Sequence, residues 1–364
     1  MKETLNSLQR CRAVIEGKIP DRIPVCLLNF QNAAHYMGYS VGECVLDSQK
    51  ASQAQIAFWE EFRHDMIEIE NGICVLAEAA GCEIEYVEDA LPWVSKPVLG
   101  SLEEIDKLRQ VDLENSPCAR ALINTIRIIS ERLGTEVCIR GDSDQAPFSL
   151  ASELLGLENF FVALMDPSQH EKIHRLLAYA TEQVKRLVRA VISAGSHYTI
   201  LGDSTAGPDV CSPRIYRQFA QPYETKVIMD CYQSGIEVGT HICGNATKII
   251  EDMIATQAKY FELDYKIDRV AVNEAVKDKA TIIGTVDPSN IISLGTPQEV
   301  YEKAKEDIQI FGPNGRFILG AGCSIPTNTP NANITALIKA AHNYGWYDSE
   351  GQLTAFPNRS NELG

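Results

Sequence analysis

Ile236-Glu237-Val238-Gly239-Thr240-His241-Ile242-Cys243-Gly244 and Phe317-Ile318-Leu319-Gly320-Ala321-Gly322-Cys323 share one plan: a short apolar run followed at once by glycine and a metal-binding type of side chain. Each run reads as a buried strand, and the residues after it as the strand's carboxyl end. Side chains two apart in a strand share a face, so His241 and Cys243 point the same way. Cys323 joins them if its strand end lies nearby. One imidazole and two thiolates form a natural donor set for zinc, and three protein ligands leave a fourth position open for chemistry. The competing account makes His241 a satisfied core histidine and the cysteines small buried hydrophobes.

Working outward, apolar runs of the same kind recur near residues 25, 67, 138, 200, 239, 262, 283 and 318. Helical stretches alternate with them. They include 42–62, 121–133, 151–165, 168–194, 213–233, 297–310 and 332–344. Eight strands alternating with helices predict an α/β protein built as a (β/α)8 TIM barrel. An open doubly wound sheet is the alternative, but no glycine-rich dinucleotide fingerprint follows the first strand. Ahead of the barrel, Leu5, Leu8, Cys11, Val14 and Ile15 fall at helical spacing and predict an N-terminal helical extension over Met1–Gly17. Cys82–Val94 alternates and predicts a hairpin. Ser101 and Glu104 stand at capping-box spacing. The tail after Trp346 is polar and reads as frayed. No internal repeat or linker interrupts the chain, so one domain is expected over 1–364.

Composition narrows the function. With 364 residues, 45% hydrophobic and 23% charged, the chain resembles an ordinary globular enzyme. A net charge of -16 speaks against a nucleic-acid partner, which needs a basic stripe. No run of roughly 18 apolar residues predicts a membrane span. The 11 cysteines are scattered and odd in number, and the N-terminus carries no secretory h-region, so a cytoplasmic, reducing location is expected.

The predicted strand ends collect polar side chains: Asn29, Glu68, Arg140, Asp142, Asp203, His241, Cys243, Glu262, Asp264, Asp287 and Cys323. In a barrel these ends form one face, where active sites lie. Glu262 or Asp264 is placed to orient His241 through its second ring nitrogen, or to take the fourth metal position. Asn29, Glu68, Asp142 and Asp203 are candidates for the cofactor- and substrate-facing wall, with helix capping as the alternative. Arg140 reads as an ion-pair partner of Asp142 or Asp203. His35, His64 and His197 read as surface or packing histidines.

Longer stretches carry a resemblance. They are Pro20-Asp21-Arg22-Ile23-Pro24-Val25, Ala77-Glu78-Ala79-Ala80-Gly81-Cys82, Ala146-Pro147-Phe148, His241-Ile242-Cys243-Gly244-Asn245, Gly284-Thr285-Val286-Asp287-Pro288 and Gly322-Cys323-Ser324-Ile325-Pro326. Together they resemble the uroporphyrinogen decarboxylase superfamily, and in particular its zinc-dependent branch of corrinoid-linked methyltransferases. The resemblance implies zinc on His241, Cys243 and Cys323. It also implies methyl transfer between methylcobalamin on a partner corrinoid protein and a small thiol such as coenzyme M. A demethylase that loads a corrinoid from a small methylated compound shares the same pattern. A non-catalytic zinc- or tetrapyrrole-binding member is a further alternative. Decarboxylase members carry an arginine loop after the first strand. Here that region reads Leu27-Leu28-Asn29-Phe30-Gln31-Asn32-Ala33-Ala34-His35, with no arginine, so decarboxylation of a polycarboxylate is not expected.

Overall fold

The computed structural model describes residues 3–354. Its strands are β1 Val25–Leu27, β2 Met66–Ile69, β3 Glu83–Glu85, β4 Trp93–Lys96, β5 Cys138–Gln145, β6 Tyr198–Gly202, β7 Val238–Ile242, β8 Tyr260–Leu263, β9 Thr281–Val286, β10 Phe317–Ala321, β11 Trp346–Tyr347 and β12 Leu353–Thr354. Eight of them close into a barrel in the order β1-β10-β9-β8-β7-β6-β5-β2. Every pairing around it is parallel. This is the expected (β/α)8 barrel.

Alternation along each strand sorts the core into two layers. Val25, Leu27, Ile67, Ile69, Ile139, Leu201, Phe261, Leu263, Phe317 and Leu319 face outward and pack under the helices. Cys26, Leu28, Met66, Cys138, Tyr198, Ile200, Tyr260, Ile283 and Ile318 face inward and fill the barrel. Gly239 is what lets Tyr260 lie across that interior, since a Cβ at 239 would stand 2.1 Å from the ring. Cys11, Val14 and Ile15 of the first helix, Ser7–Ile15, join the inward layer and close the barrel's amino-terminal end.

That end also carries a buried ionic staple that the apolar pattern did not reveal. Asp65, just before β2, is bound by Arg10 Nη1 at 2.6 Å and by Arg22 Nη1 at 2.7 Å. The Val25 amide and the Ser7 hydroxyl each donate to it at 2.9 Å. Arg10 also reaches Asp21 at 2.7 Å through Nε. The staple ties the N-terminal helix to the entrances of β1 and β2.

Local details depart from expectation where a single side chain decides. The predicted helix 42–62 is two helices, Val41–Leu46 and Ser48–Phe62. Asp47 lies between them and caps the second by accepting from the Gln49 and Lys50 amides. The stretch 151–165 is likewise divided into Pro147–Leu155 and Leu157–Leu164 at Gly156, whose φ of +86° suits glycine. Ser101 and Glu104 do not form a capping box. Glu104 accepts from the Gly100 amide instead, and a short 3-10 turn, Leu102–Lys107, follows. Cys82–Val94 holds the expected hairpin, with β3 and β4 antiparallel. The chain after Trp346 is ordered as far as Thr354, because β11 pairs with β12. The rest of the predicted frayed tail, 355–364, lies outside the described residues, as do residues 1–2 of the predicted first helix. Among the described residues, no helix is long and apolar enough to cross a membrane.

Candidate metal centre

The barrel brings His241, Cys243 and Cys323 together at its carboxyl-terminal face. Gly202, His241 and Glu262 are lateral neighbours on β6, β7 and β8. His241 Nε2 lies 3.0 Å from Cys243 Sγ, and the two sulfurs lie 3.9 Å apart. All three donor atoms fit within 4.8 Å of one another. Donors around a tetrahedral zinc, at bond lengths of about 2.0–2.3 Å, stand roughly 3.5–3.8 Å apart. The His241–Cys243 and Cys243–Cys323 separations, 3.0 and 3.9 Å, lie within about half an ångström of that spacing. Accessibility separates these sulfurs from the rest: nine cysteines are buried, whereas Cys243 and Cys323 are partly exposed.

The imidazole is oriented from behind. His241 Nδ1 is 3.1 Å from the Glu262 carbonyl oxygen and 3.3 Å from Glu262 Oε1, which leaves Nε2 to face the sulfurs. Ser204 Oγ donates to Cys243 Sγ at 3.1 Å. Burial opposes a charge on His241, but the neighbouring Cys243 thiolate and Glu262 hold its pKa up at about 10. A hydrogen bond from the Cys323 thiol, helped by His241, pulls the Cys243 thiol down to about 3 against the cost of burial. Donating that bond, and being buried, pushes the Cys323 thiol up. One imidazole nitrogen and two sulfurs thus stand together as a donor set that a divalent cation would hold by displacing their protons.

The other candidate residues fall into distinct places. Glu262 Oε2 is 2.5 Å from Arg140 Nη1, and Arg140 Nη2 is 3.5 Å from Glu68 Oε1. Arg140 thus pairs with Glu262 and Glu68. This corrects the expected pairing with Asp142 or Asp203, because the strand register puts Arg140 beside Glu68. Asp142 joins Glu68 and Glu70 in a second cluster of carboxylates, with oxygens within 4.8 Å of one another. Burial and mutual repulsion raise all three pKa values, that of Glu70 to about 7. Asn29 is fully buried after β1, and neither of its amide atoms has a hydrogen-bond partner. Asp203 is turned elsewhere: it accepts from the Ser149 amide at 2.8 Å, in the first turn of the helix Pro147–Leu155. Asp264 accepts from the Gly244 amide at 2.7 Å and shapes the loop that carries Cys243.

Sequence reasoning passed over Ser204, Ser324 and Glu70. Glu70 lies two residues after Glu68, so period two could have placed both on one face. His35 pairs with Asp89 at 2.6 Å, His64 is buried near Phe58, and His197 accepts from the Ile139 amide, all apart from the triad. A groove of about 870 Å³ along helices Pro117–Leu133 and His170–Ser193 and another of about 440 Å³ beside His197 and Tyr198 lie off this face.

Comparison with known proteins agrees with the barrel. The family described as Uroporphyrinogen decarboxylase (URO-D) matches residues 6–344. Methylcobamide:CoM methyltransferase MtbA of Methanosarcina acetivorans is 29% identical over 305 residues, covering 83% of this chain and 86% of that protein. Methylcobamide:CoM methyltransferase MtaA of Methanosarcina barkeri is 26% identical over 347 residues, covering 92% and 97%. The solved structure of a methyltransferase from Methanosarcina mazei superposes with a TM-score of 0.82 at 23% identity, over 93% of this chain and 98% of that one.

Proposed function

This chain belongs to the uroporphyrinogen decarboxylase family, and from that premise we propose that it is a zinc-dependent methyltransferase. It moves a methyl group between a corrinoid carried by a partner protein and a small thiol. The observation that carries the reading is the convergence of His241, Cys243 and Cys323, with ligand-like spacing and two partly exposed sulfurs, at the barrel's active face. Its relatives named as methylcobamide:CoM methyltransferases support the reaction class.

Zinc bound there would strip the proton from a thiol and hold its sulfur at neutral pH. The chain's residues set the quality of that sulfur. Two cysteine thiolates and a neutral His241 cancel the ion's charge, so an added thiolate keeps electron density for attack on a methyl carbon. Glu262 fixes the ring of His241 and keeps Nε2 on the ligand side. Arg140 holds the far oxygen of Glu262. Ser204 steadies Cys243. A corrinoid presented by the partner would supply the methyl group, and the thiolate held at this face would form its bond to the methyl carbon as the carrier's bond to that carbon breaks, the electron pair staying with the carrier. Decarboxylation of a polycarboxylate fits poorly, because the stretch after β1, Leu28 to His35, offers no arginine to hold carboxylates.

The test is zinc content followed by methylation of thiols from free methylcobalamin. About one zinc per chain and a methylated thiol are expected. Bound zinc with no thiol methylated by any acceptor would redirect the assignment toward loading a corrinoid from a methylated compound.

A further inference from the structure

On the flank of the barrel, apart from the metal triad and independent of the methyltransferase reading, we propose a second binding site, one that takes the phosphate chain of a nucleotide-sized oligophosphate. The groove of about 870 Å³ along the helices Pro117–Leu133 and His170–Ser193 is lined by four arginines. Arg120 and Arg127 belong to the first helix, Arg186 and Arg189 to the second. Spacings of seven and three residues keep each pair on one helix face. At the rise of a helix, Arg120 and Arg127 stand about 10 Å apart along the axis. So many guanidiniums in one groove reverse the local sign of a chain whose net charge is -16.

The protein's own acids leave most of this charge unmatched. Arg189 pairs with Asp230. Among the described residues, no ion pair includes Arg120, Arg127 or Arg186. Arg127 Nη1 donates to the neutral Asn124 Oδ1 at 2.6 Å. Two acids also line the groove, Asp112 and Glu114. Asp112 is occupied by Asn115, which donates to its two oxygens at 3.1 and 2.6 Å. An independent observation points to a missing acceptor: Arg186 is half-buried, and its Nε is covered without a hydrogen-bond partner. A covered donor left unmatched is costly. Phosphate oxygens match the guanidinium fork two at a time. Charge spread over about 10 Å suits several linked phosphates better than one. Val111, Leu113 and Ile123 offer an apolar wall to the rest of the molecule, and the groove's volume is that of a small-molecule site. A long nucleic acid would meet the negative surface around the groove, which a ligand confined to it avoids.

The experiment titrates the full chain with ATP, AMP and inorganic phosphate by calorimetry in magnesium-free buffer. One ATP site per chain is expected, with ATP held more tightly than AMP, AMP more tightly than phosphate, and all three weakened by added salt. Arg186→Gln should weaken ATP about tenfold or more, the worth of one charge-assisted hydrogen bond, and Arg120→Gln should weaken it severalfold. Arg217→Gln, which removes an exposed arginine already paired with Asp252, should change nothing. Circular dichroism checks that each variant is folded. Cys323→Ala should also leave ATP binding intact; its loss there would put the phosphates on the metal centre and overturn the inference. No saturable binding of ATP, equal binding of the three ligands, or full affinity in both Arg186→Gln and Arg120→Gln would overturn it too. So would a polyglutamate peptide that displaces ATP and binds these arginines more tightly, which would make the groove a seat for an acidic protein face.

Discussion

The two ends of the barrel handle charge in opposite ways. At the amino-terminal end, Asp65 is buried with both oxygens bound by Arg10, Arg22, Ser7 and the Val25 amide. At the carboxyl-terminal end, Glu68, Glu70, Asp142 and Glu262 share one arginine. Burial opposes the charge of Asp65, yet Arg22 and Arg10 outweigh it and hold its pKa at about 2. At the other end burial is reinforced by like charges, and Glu70 rises to about 7. A satisfied buried network supports the fold. An unsatisfied one stores a cost that a bound partner can relieve.

The sharpest way to break this contrast is to empty each end in turn. Cys243→Ala or Cys323→Ala should lower zinc from about one per chain to near none and abolish thiol methylation. The circular dichroism spectrum should stay that of a folded barrel. Full zinc content in both variants would remove the metal centre from the argument. Asp65→Ala removes the carboxylate that Arg10 and Arg22 share, leaving Arg10 to Asp21 and Arg22 to Glu3, and should cost about 3 kcal/mol in urea unfolding. A loss no larger than that of a surface substitution would show that the staple contributes nothing.

Acidity separates the ends more finely. Asp65 has a lower pKa folded than unfolded, where about 3.9 is usual, so the unfolded chain takes up its proton first. Its contribution, about 2.6 kcal/mol, is complete above pH ~5 and is lost as pH falls through about 2. Asp65→Asn should flatten that part of the curve of stability against pH. The opposite sign is expected at the mouth. Glu70 has a higher pKa folded than unfolded, so the folded chain holds its proton more tightly. Stability should then decline as pH rises from about 4.3 through about 7. Glu70→Gln in metal-free protein should therefore gain stability at pH 8, by up to about 3–4 kcal/mol, and little at pH 5.

Much of this architecture could be read from the chain because parallel barrel strands, buried on both faces, appear as bare apolar runs. Period two alone placed His241 and Cys243 on one side. What could not be read was lateral register. Arg140 meets Glu68 and Glu262 because β5 pairs with β2 at that height and β8 crosses nearby, whereas proximity in sequence favoured Asp142. Arg10 and Arg22 escaped for a different reason. Charged residues in a helix and a turn ordinarily face water, and their burial here is made tolerable by the distant Asp65 together with Asp21 and Glu3. Breaks such as those at Asp47 and Gly156 depend on one side chain's cap or one backbone angle, to which hydrophobic periodicity is blind.

The helix that closes the barrel has a consequence for how the chain is made. Val14, near the beginning, accepts a hydrogen bond from Thr281, and the same helix packs on Ile283 and Ile318. β1 itself completes the ring only by pairing with β10. During synthesis the first apolar elements to emerge are thus among the last to find their partners, after some three hundred residues have followed. Contacts of such long sequence separation are slow to form, and the surface awaiting them is open to wrong associations in the meantime. In the emerging chain, the amino-terminal helix is the segment most in need of shelter.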